Sequence, residues 1–332
     1  MFNMKQAVFN KTGLAKDVLE IKEVPKPEPK AGEVRIRVKA APVNPSDSLF
    51  VQGFYGLQPR FPDSPAGFEG AGEVDVIGTG VGEGTQVAKG MKVCFAALGT
   101  WSEYVVVPAT QLLPMPGGLK WEEGAQLFVN PFTALAMLDE VGLQKGDWLL
   151  LTAGFSAVSK MVVKIAKERG IRTICTVRRE EQADMLHVMG AEAVINTEKD
   201  SISERVKALT DKQGVKACFE AVGGETAEEV QQCMAKGGKI LVYGLLSGQE
   251  AKFNSGLLIF REITIKGFWL SRWMAESSLS AKARLGTELH TLVKKGVIPF
   301  DVGATYPLDK AADAVTYSDT PGKSGKAIIL CG

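Results

Sequence analysis

The stretch Trp148-Leu149-Leu150-Leu151-Thr152-Ala153-Gly154-Phe155-Ser156 decides the fold. Its continuous apolar run has no polar alternate. It fits a strand covered on both faces, as at the centre of a parallel sheet. Gly154 opens a turn, and from Ser156 to Arg169 apolar residues return at helical spacing. Gly170 then stands where a helix C-cap belongs.

The same alternation continues toward the C-terminus. Strands are predicted over 173–177, 193–195, 217–219, 239–242 and 263–265, with helices over 181–189, 202–209 and 226–234 between them. With right-handed crossovers this pattern makes an α/β fold, a doubly wound parallel sheet of the Rossmann type. A long helix is predicted from Ser280 to Lys295, ending at Gly296. The last strand, Lys326 to Leu330, is expected to return to the first domain.

The texture differs before Trp121. Val34-Arg35-Ile36-Arg37-Val38-Lys39-Ala40 alternates apolar and charged residues, as a half-buried strand does. Pro25, Pro27, Pro29, Gly32, Pro42, Pro45, Gly53, Gly56 and Pro59 cut the region finely. Short strands and frequent turns predict a β-rich, partly open barrel. The 332 residues suit two domains, 1–121 with 297–332 and 122–296.

Bulk properties exclude several functions. A net charge of +1 gives no electrostatic basis for binding nucleic acid or an anionic membrane. No apolar run approaches the roughly 20 residues that span a bilayer. Met1 to Phe9 holds no apolar signal core, so a soluble, cytoplasmic protein is expected. Cys94, Cys175, Cys218, Cys233 and Cys331 are odd in number and lack metal or redox spacing, which predicts reduced, buried thiols. His187 and His290 are the only histidines, and both lie in helical patterns. That scarcity argues against a Ser-His-Asp hydrolase and a histidine-rich metal site.

A pyrophosphate needs backbone N–H donors at a helix N-terminus and no side chain in the way. Thr152 to Ser159 lies between strand and helix, where such a turn belongs, but Gly154 is its only glycine. Ala157 and Ser159 stand where further glycines are expected. A nucleotide turn and an ordinary β–α turn both fit. The end of the next strand says more. Where an NAD-binding domain carries an acid for the ribose 2′-hydroxyl, this chain reads Arg178-Arg179. Two guanidinium groups suit a 2′-phosphate and so NADPH. The competing reading is a solvated pair that balances Glu180 and Glu181.

Asn44-Pro45-Ser46-Asp47, Gln52-Gly53-Phe54-Tyr55-Gly56, Gly67-Phe68-Glu69-Gly70, Gly99-Thr100-Trp101, Val129-Asn130-Pro131-Phe132-Thr133-Ala134 and Lys266-Gly267-Phe268-Trp269-Leu270-Ser271 together resemble the medium-chain dehydrogenase/reductase superfamily. The resemblance spans the chain. It is strongest to mitochondrial-type 2-enoyl thioester reductases and quinone oxidoreductases. It implies a GroES-like first domain and a homodimer. Zinc-dependent members place a cysteine ahead of an aspartate and a histidine in a Gly-His-Glu triplet. Here those places resemble Asn44 and Phe68, neither of which replaces a thiolate or imidazole. The four-cysteine lobe is absent as well.

Without zinc, the resemblance gives the polarising role to Tyr55, whose phenol donates to the substrate oxygen or helps protonate the enolate. A loop tyrosine that only packs is the alternative. The resemblance assigns cofactor contacts to Asn130, to Phe155, Ser156, Ala157 and Val158, to Tyr243, Gly244 and Leu245, and to Phe268, Trp269 and Leu270. It sends Lys326 to the cofactor phosphates. Asn130 also reads as a helix N-cap beside Pro131, and Lys326 as a solvated strand-end lysine. Many relatives carry glycine at Leu245. Phe54, Phe268 and Trp269 line an apolar substrate slot or serve only in packing. The expected reaction is NADPH-dependent reduction of a C=C bond conjugated to a carbonyl. A quinone is the rival acceptor, and a non-catalytic NADPH-binding protein is the rival class.

Overall fold

The computed structural model describes residues 2–82 and 87–332. In chain order its first strands are β1 (Asn3–Phe9), β2 (Leu19–Pro25), β3 (Glu33–Pro42), β4 (Ser64–Pro65), β5 (Glu69–Ile77), β6 (Lys92–Ala96), β7 (Tyr104–Pro108) and β8 (Leu113–Pro114). Then come β9 (Trp148–Leu151), β10 (Arg172–Val177), β11 (Ala193–Asn196), β12 (Val215–Glu220), β13 (Met234–Val242) and β14 (Thr264–Gly267). The last two are β15 (Val302–Pro307) and β16 (Lys326–Leu330). Backbone contacts divide the chain into one unit of Met1–Val129 with Phe300–Gly332 and another of Asn130–Pro299.

The first unit is mostly antiparallel. One sheet has the order β2-β1-β4; another runs β15-β16-β3-β5-β6-β8, with β7 also on β3. Val34, Ile36 and Val38 of β3 are fully buried. Arg35, between them in sequence, is buried too, because Asp75 at 2.7 Å and Glu28 at 2.6 Å take up its donors. Ile328 of β16 pairs with Pro42 and Leu330 with Ala40, so the C-terminal strand does return to this sheet. Phe9, Phe50, Phe95 and Trp101 fill the core.

The helices Pro45–Gln52 and Ala311–Asp319 of this unit were not foreseen. Pro45–Gln52 begins with Pro45 at a position where a missing N–H costs nothing, and Asn44 and Asp47 close a capping box. Ala311–Asp319 buries Ala311, Ala314 and Val315 at helical spacing.

The second unit holds a six-stranded parallel sheet in the order β11-β10-β9-β12-β13-β14. This is the doubly wound Rossmann order. Its direction reverses between β9 and β12, so their carboxyl ends flank the crevice where such sheets bind ligands. The predicted helices stand at Ala157–Glu168, Glu181–Met189, Ile202–Leu209, Gly224–Cys233 and Leu279–Lys294. β13 is longer than its apolar run suggested. It starts at Met234, which the periodicity assigns to the preceding helix, and shifts register before Lys239. A bulge with two glycines, Gly237 and Gly238, carries the polar residues into the strand.

Leu150 is fully buried in β9, opposite Ile174 and Cys218. Leu150→Ala should cost about 2–5 kcal/mol through the cavity it leaves. Urea unfolding followed by tryptophan fluorescence should show the midpoint fall.

Candidate active site

In the first unit, the helix Pro45–Gln52 ends on Gly53, which takes φ 81° as a left-handed C-cap. The chain then turns into the loop Phe54–Gln58. Phe54 is 72% exposed, and Gly56, Leu57 and Gln58 are exposed as well. Tyr55 is the partly buried residue of this loop and packs on the core. Its ring centroid lies 5.3 Å from that of Phe68, and Phe68 lies 5.2 Å from Phe50.

Beside these rings is a buried polar cluster. Asn44 Nδ2 donates to Glu69 Oε1 at 2.8 Å, and Lys326 Nζ donates to Asn44 Oδ1. Glu69 Oε2 accepts from the backbone N–H of Val129 at 2.7 Å, and Asp47 Oδ2 from that of Asn44 at 2.7 Å. Burial pushes the Asp47 carboxyl up to about 7; Glu69 adds to the rise, while the Asn44 N–H and Lys326 oppose it. Burial also raises Glu69, against the pull of Lys326 and the Val129 N–H. Lys326 is therefore no solvated strand-end lysine; its ammonium is taken up inside this unit.

Zinc does not fit here. The place of its cysteine holds an amide whose two ends are taken by Glu69 and Lys326. The place of its histidine holds an apolar ring stacked between Phe50 and Tyr55. Among the described residues no group of three or more His, Cys, Asp or Glu is arranged to hold a metal ion.

In the second unit the candidate residues gather at the strand ends. A Cβ on Gly154 would lie 2.5 Å from Cys175 Cβ and 3.0 Å from Thr176 O, so only glycine lets the turn lie against β10. Ala153 before it takes φ 47°, a left-handed conformation that glycine would adopt without strain. Ser156 caps the helix Ala157–Glu168, its hydroxyl accepting from Ser159 N–H at 3.2 Å. Ser159 is buried, and its Oγ lies 3.4 Å from Thr152 O and 3.4 Å from the Tyr243 hydroxyl. The turn Phe155–Val158 is thus joined to Tyr243 at the end of β13. Burial pushes the Tyr243 phenol up, and bonds from Ser159 and Ser156 oppose the rise.

Arg178 and Arg179 follow β10 and are both exposed. Glu180 does not neutralise them. Its carboxylate takes Lys199 at 2.7 Å and Asn196 at 3.1 Å. Asn130 is the second residue of the helix Val129–Val141, past the N-cap position, and its buried Nδ2 has no hydrogen-bond partner among the described residues. Gly244 presses on Ala221, where a Cβ would meet the carbonyl oxygen at 2.8 Å, whereas Leu245 is exposed. Phe268 is buried, with its N–H on Val242 O at 2.8 Å; Trp269 is 39% exposed and Leu270 partly buried.

Sequence reasoning missed Glu220. It ends β12 fully buried, and its Oε1 accepts from Val222 N–H at 2.7 Å and Gly223 N–H at 3.0 Å. The Thr152 hydroxyl donates to the same oxygen at 3.3 Å, while Oε2 is buried without a partner among the described residues. The available signal was one acid closing an apolar strand just before Gly223-Gly224.

With this geometry in hand, comparison with known proteins is informative. Residues 30–117 match the Alcohol dehydrogenase GroES-like domain, and residues 157–283 match the family described as Zinc-binding dehydrogenase. The human mitochondrial enoyl-[acyl-carrier-protein] reductase is 31% identical over 331 residues, covering 98% of this chain and 88% of its own. The chain belongs to the medium-chain dehydrogenase/reductase superfamily. The enoyl-[acyl-carrier-protein] reductase of Caenorhabditis elegans is 34% identical over 277 residues, 82% of this chain and 78% of its own. Among solved structures, Escherichia coli quinone oxidoreductase complexed with NADPH superposes with TM-score 0.89 at 26% identity, covering 98% of this chain and 99% of the other. A Pseudomonas syringae quinone oxidoreductase gives TM-score 0.89 at 25% identity, with coverage of 98% and 99%. The places that resemble the zinc ligands of other members hold Asn44 and Phe68 in this chain.

Asp47 yields a pH test. Its folded-state pKa of about 7 exceeds the ordinary 3.8, so the folded protein retains a proton that the unfolded chain releases. The resulting penalty grows as pH rises from about 4 to about 7 and is constant above. Asp47→Asn keeps an acceptor for Asn44 N–H and removes the penalty. Its urea midpoint should gain on the wild type across that window and run parallel to it at higher pH.

Proposed function

We propose that the protein is an NADPH-dependent oxidoreductase that reduces a C=C bond conjugated to a carbonyl, with Tyr55 as its catalytic residue. The observation that carries this reading is Tyr55 itself. It is the anchored residue of an exposed loop, in a unit whose zinc positions are occupied by Asn44 and Phe68. The relatives support the substrate class, since the human protein is an enoyl-[acyl-carrier-protein] reductase by name. The Escherichia coli structure holding NADPH supports the cofactor.

The second unit's residues fit that cofactor. Arg178 and Arg179 offer two guanidinium groups that no carboxylate of the described residues pairs, suited to a 2′-phosphate. The turn Phe155–Val158 leads into a helix N-terminus with no acid in its first turn; the Ser159 N–H is taken by the Ser156 hydroxyl, and the N–H groups of Ala157 and Val158 are the donors that suit a pyrophosphate. Asn130 brings a buried amide donor that lacks a protein acceptor. Tyr243, Gly244 and Leu245, with Phe268, Trp269 and Leu270, provide backbone and apolar surface for the nicotinamide end. When bound, NADPH supplies a hydride to the carbon β to the carbonyl. The Tyr55 phenol donates to the carbonyl oxygen as charge builds on it, and helps deliver the proton that completes reduction. Phe54 in the first unit and Trp269 in the second are each exposed apolar surface of the kind an apolar acceptor would need.

A quinone is the alternative acceptor, favoured by the names of the solved neighbours. We also propose a homodimer joined along β14. This strand lies at the sheet edge, and the helix Ser255–Arg261 before it exposes Ile259 and Phe260. A cytoplasmic location agrees with five free, buried thiols, of which Cys175 and Cys331 are pushed by burial up to about 12. No helix among the described residues is long and apolar enough to cross a membrane.

Tyr55→Phe should lower kcat on a 2-enoyl thioester by about 10²–10³-fold, with NADPH binding unchanged by fluorescence titration. Unchanged turnover removes the phenol from the reaction. The double variant Arg178→Ser, Arg179→Ser should raise KM for NADPH by roughly 10–100-fold and leave KM for NADH alone. Initial rates with an enoyl thioester and a quinone, each with both cofactors, decide the acceptor. NADPH binding with no turnover on either would identify a non-catalytic nucleotide-binding protein.

A further inference from the structure

We infer that Phe68, in the place of the zinc-binding histidine, is a positioning residue that sets the orientation of the Tyr55 phenol. The inference rests on the catalytic reading of Tyr55 given above. A phenol is useful to a developing oxyanion only if its O–H is already aimed. Loop residues are ordinarily more mobile than the elements they join, and Tyr55 stands in a loop whose neighbours Phe54, Gly56, Leu57 and Gln58 are exposed. Its ring must therefore be held by something other than its own backbone.

Phe68 supplies that hold. Its ring is tilted 40° to Tyr55 at a centroid distance of 5.3 Å. It meets Phe50 at 5.2 Å and 61°, and Phe50 meets Phe9 at 5.5 Å and 89°. Phe9 and Phe50 are fully buried in the core, so a continuous row of rings leads from rigid packing out to the phenol. The backbone under Phe68 is fixed as well. Its carbonyl accepts from Ala97 N–H at 2.9 Å, and the next residue is Glu69, clasped by Asn44 and Val129.

An imidazole at this position would need polar partners on its ring nitrogens. Phenylalanine needs none and presents only a face and an edge to Tyr55. The change that removes the metal ligand thereby provides the support for the group that replaces it.

The test is a double-mutant cycle on the intact protein, with kcat on an enoyl thioester, NADPH binding and thermal midpoint measured for wild type, Phe68→Leu, Tyr55→Phe and the double variant. Phe68→Leu keeps an apolar side chain and removes the ring. It should lower kcat by roughly 10–100-fold, as a misplacement near 1 Å does, with NADPH affinity unchanged. Phe68→Tyr, which keeps the ring, should restore most of the rate. In the Tyr55→Phe background, Phe68→Leu should cost nothing further, because there is no phenol left to aim. Wild-type kcat in Phe68→Leu, or losses that add in the double variant, would overturn the inference. If Tyr55→Phe is slow and Phe68→Leu is not, only the positioning role fails. If Tyr55→Phe is fully active, the catalytic reading fails and the positioning role with it. Should Phe68→Leu not fold, Phe68→Met makes the same comparison.

Discussion

The carboxylate of Glu69 is buried at the start of β5, and much of the first unit is arranged to satisfy it. Burying an ion costs several kcal/mol unless its oxygens find donors and a compensating charge lies near. The donors are the Asn44 amide and the Val129 N–H; the charge is Lys326, bonded to the other end of the same amide. One amide thus ties a helix N-cap, the start of β5 and the C-terminal strand β16 together. Loss of any one partner would leave an unpaired polar group in the interior. The same arrangement leaves a metal ion without ligands, since the amide is used at both ends.

That constraint bears on the chemistry. A catalytic zinc stabilises charge as a Lewis acid and needs open coordination. A phenol stabilises charge by one directed hydrogen bond, which depends on orientation instead. Beside Asn44 the amide is shared by Glu69 and Lys326, while Asp47 Oδ1 is buried without a partner among the described residues, and the rings of Phe50, Phe68 and Tyr55 lie in a row. In the second unit, Asn130 Nδ2 near the start of the helix Val129–Val141 and Glu220 Oε2 at the end of β12 are buried without partners among the described residues, and Arg178 and Arg179 after β10 are exposed. An unsatisfied amide donor and exposed guanidinium groups suit a polar, anionic ligand, whereas the Glu220 carboxylate does not.

Much of the fold was legible in local pattern. The run Trp148–Leu151 and the helix after Ser156 sit where periodicity put them, because a doubly wound sheet repeats one unit whose apolar spacing changes sharply at each turn. β13 was read short because its first half is polar and bulged, and no period survives a bulge. The helix Pro45–Gln52 was read only as a motif. It is too short and too weakly amphipathic to announce itself, and its capping box becomes visible only once Asp47 is seen to bond Asn44 N–H.

By itself the sequence determined the parallel sheet, the β-rich first unit, the absence of thiolate and imidazole at the zinc positions, and the arginine pair after β10. Each follows from residue type and near-neighbour order, which the chain carries whatever its fold. Only tertiary structure decided that Lys326 is buried on Asn44, that Glu220 accepts from the turn after β12, and that the Phe68 ring lies against Tyr55. Those contacts join residues far apart in the chain, and burial at a long-range contact is a property of packing that no local period encodes.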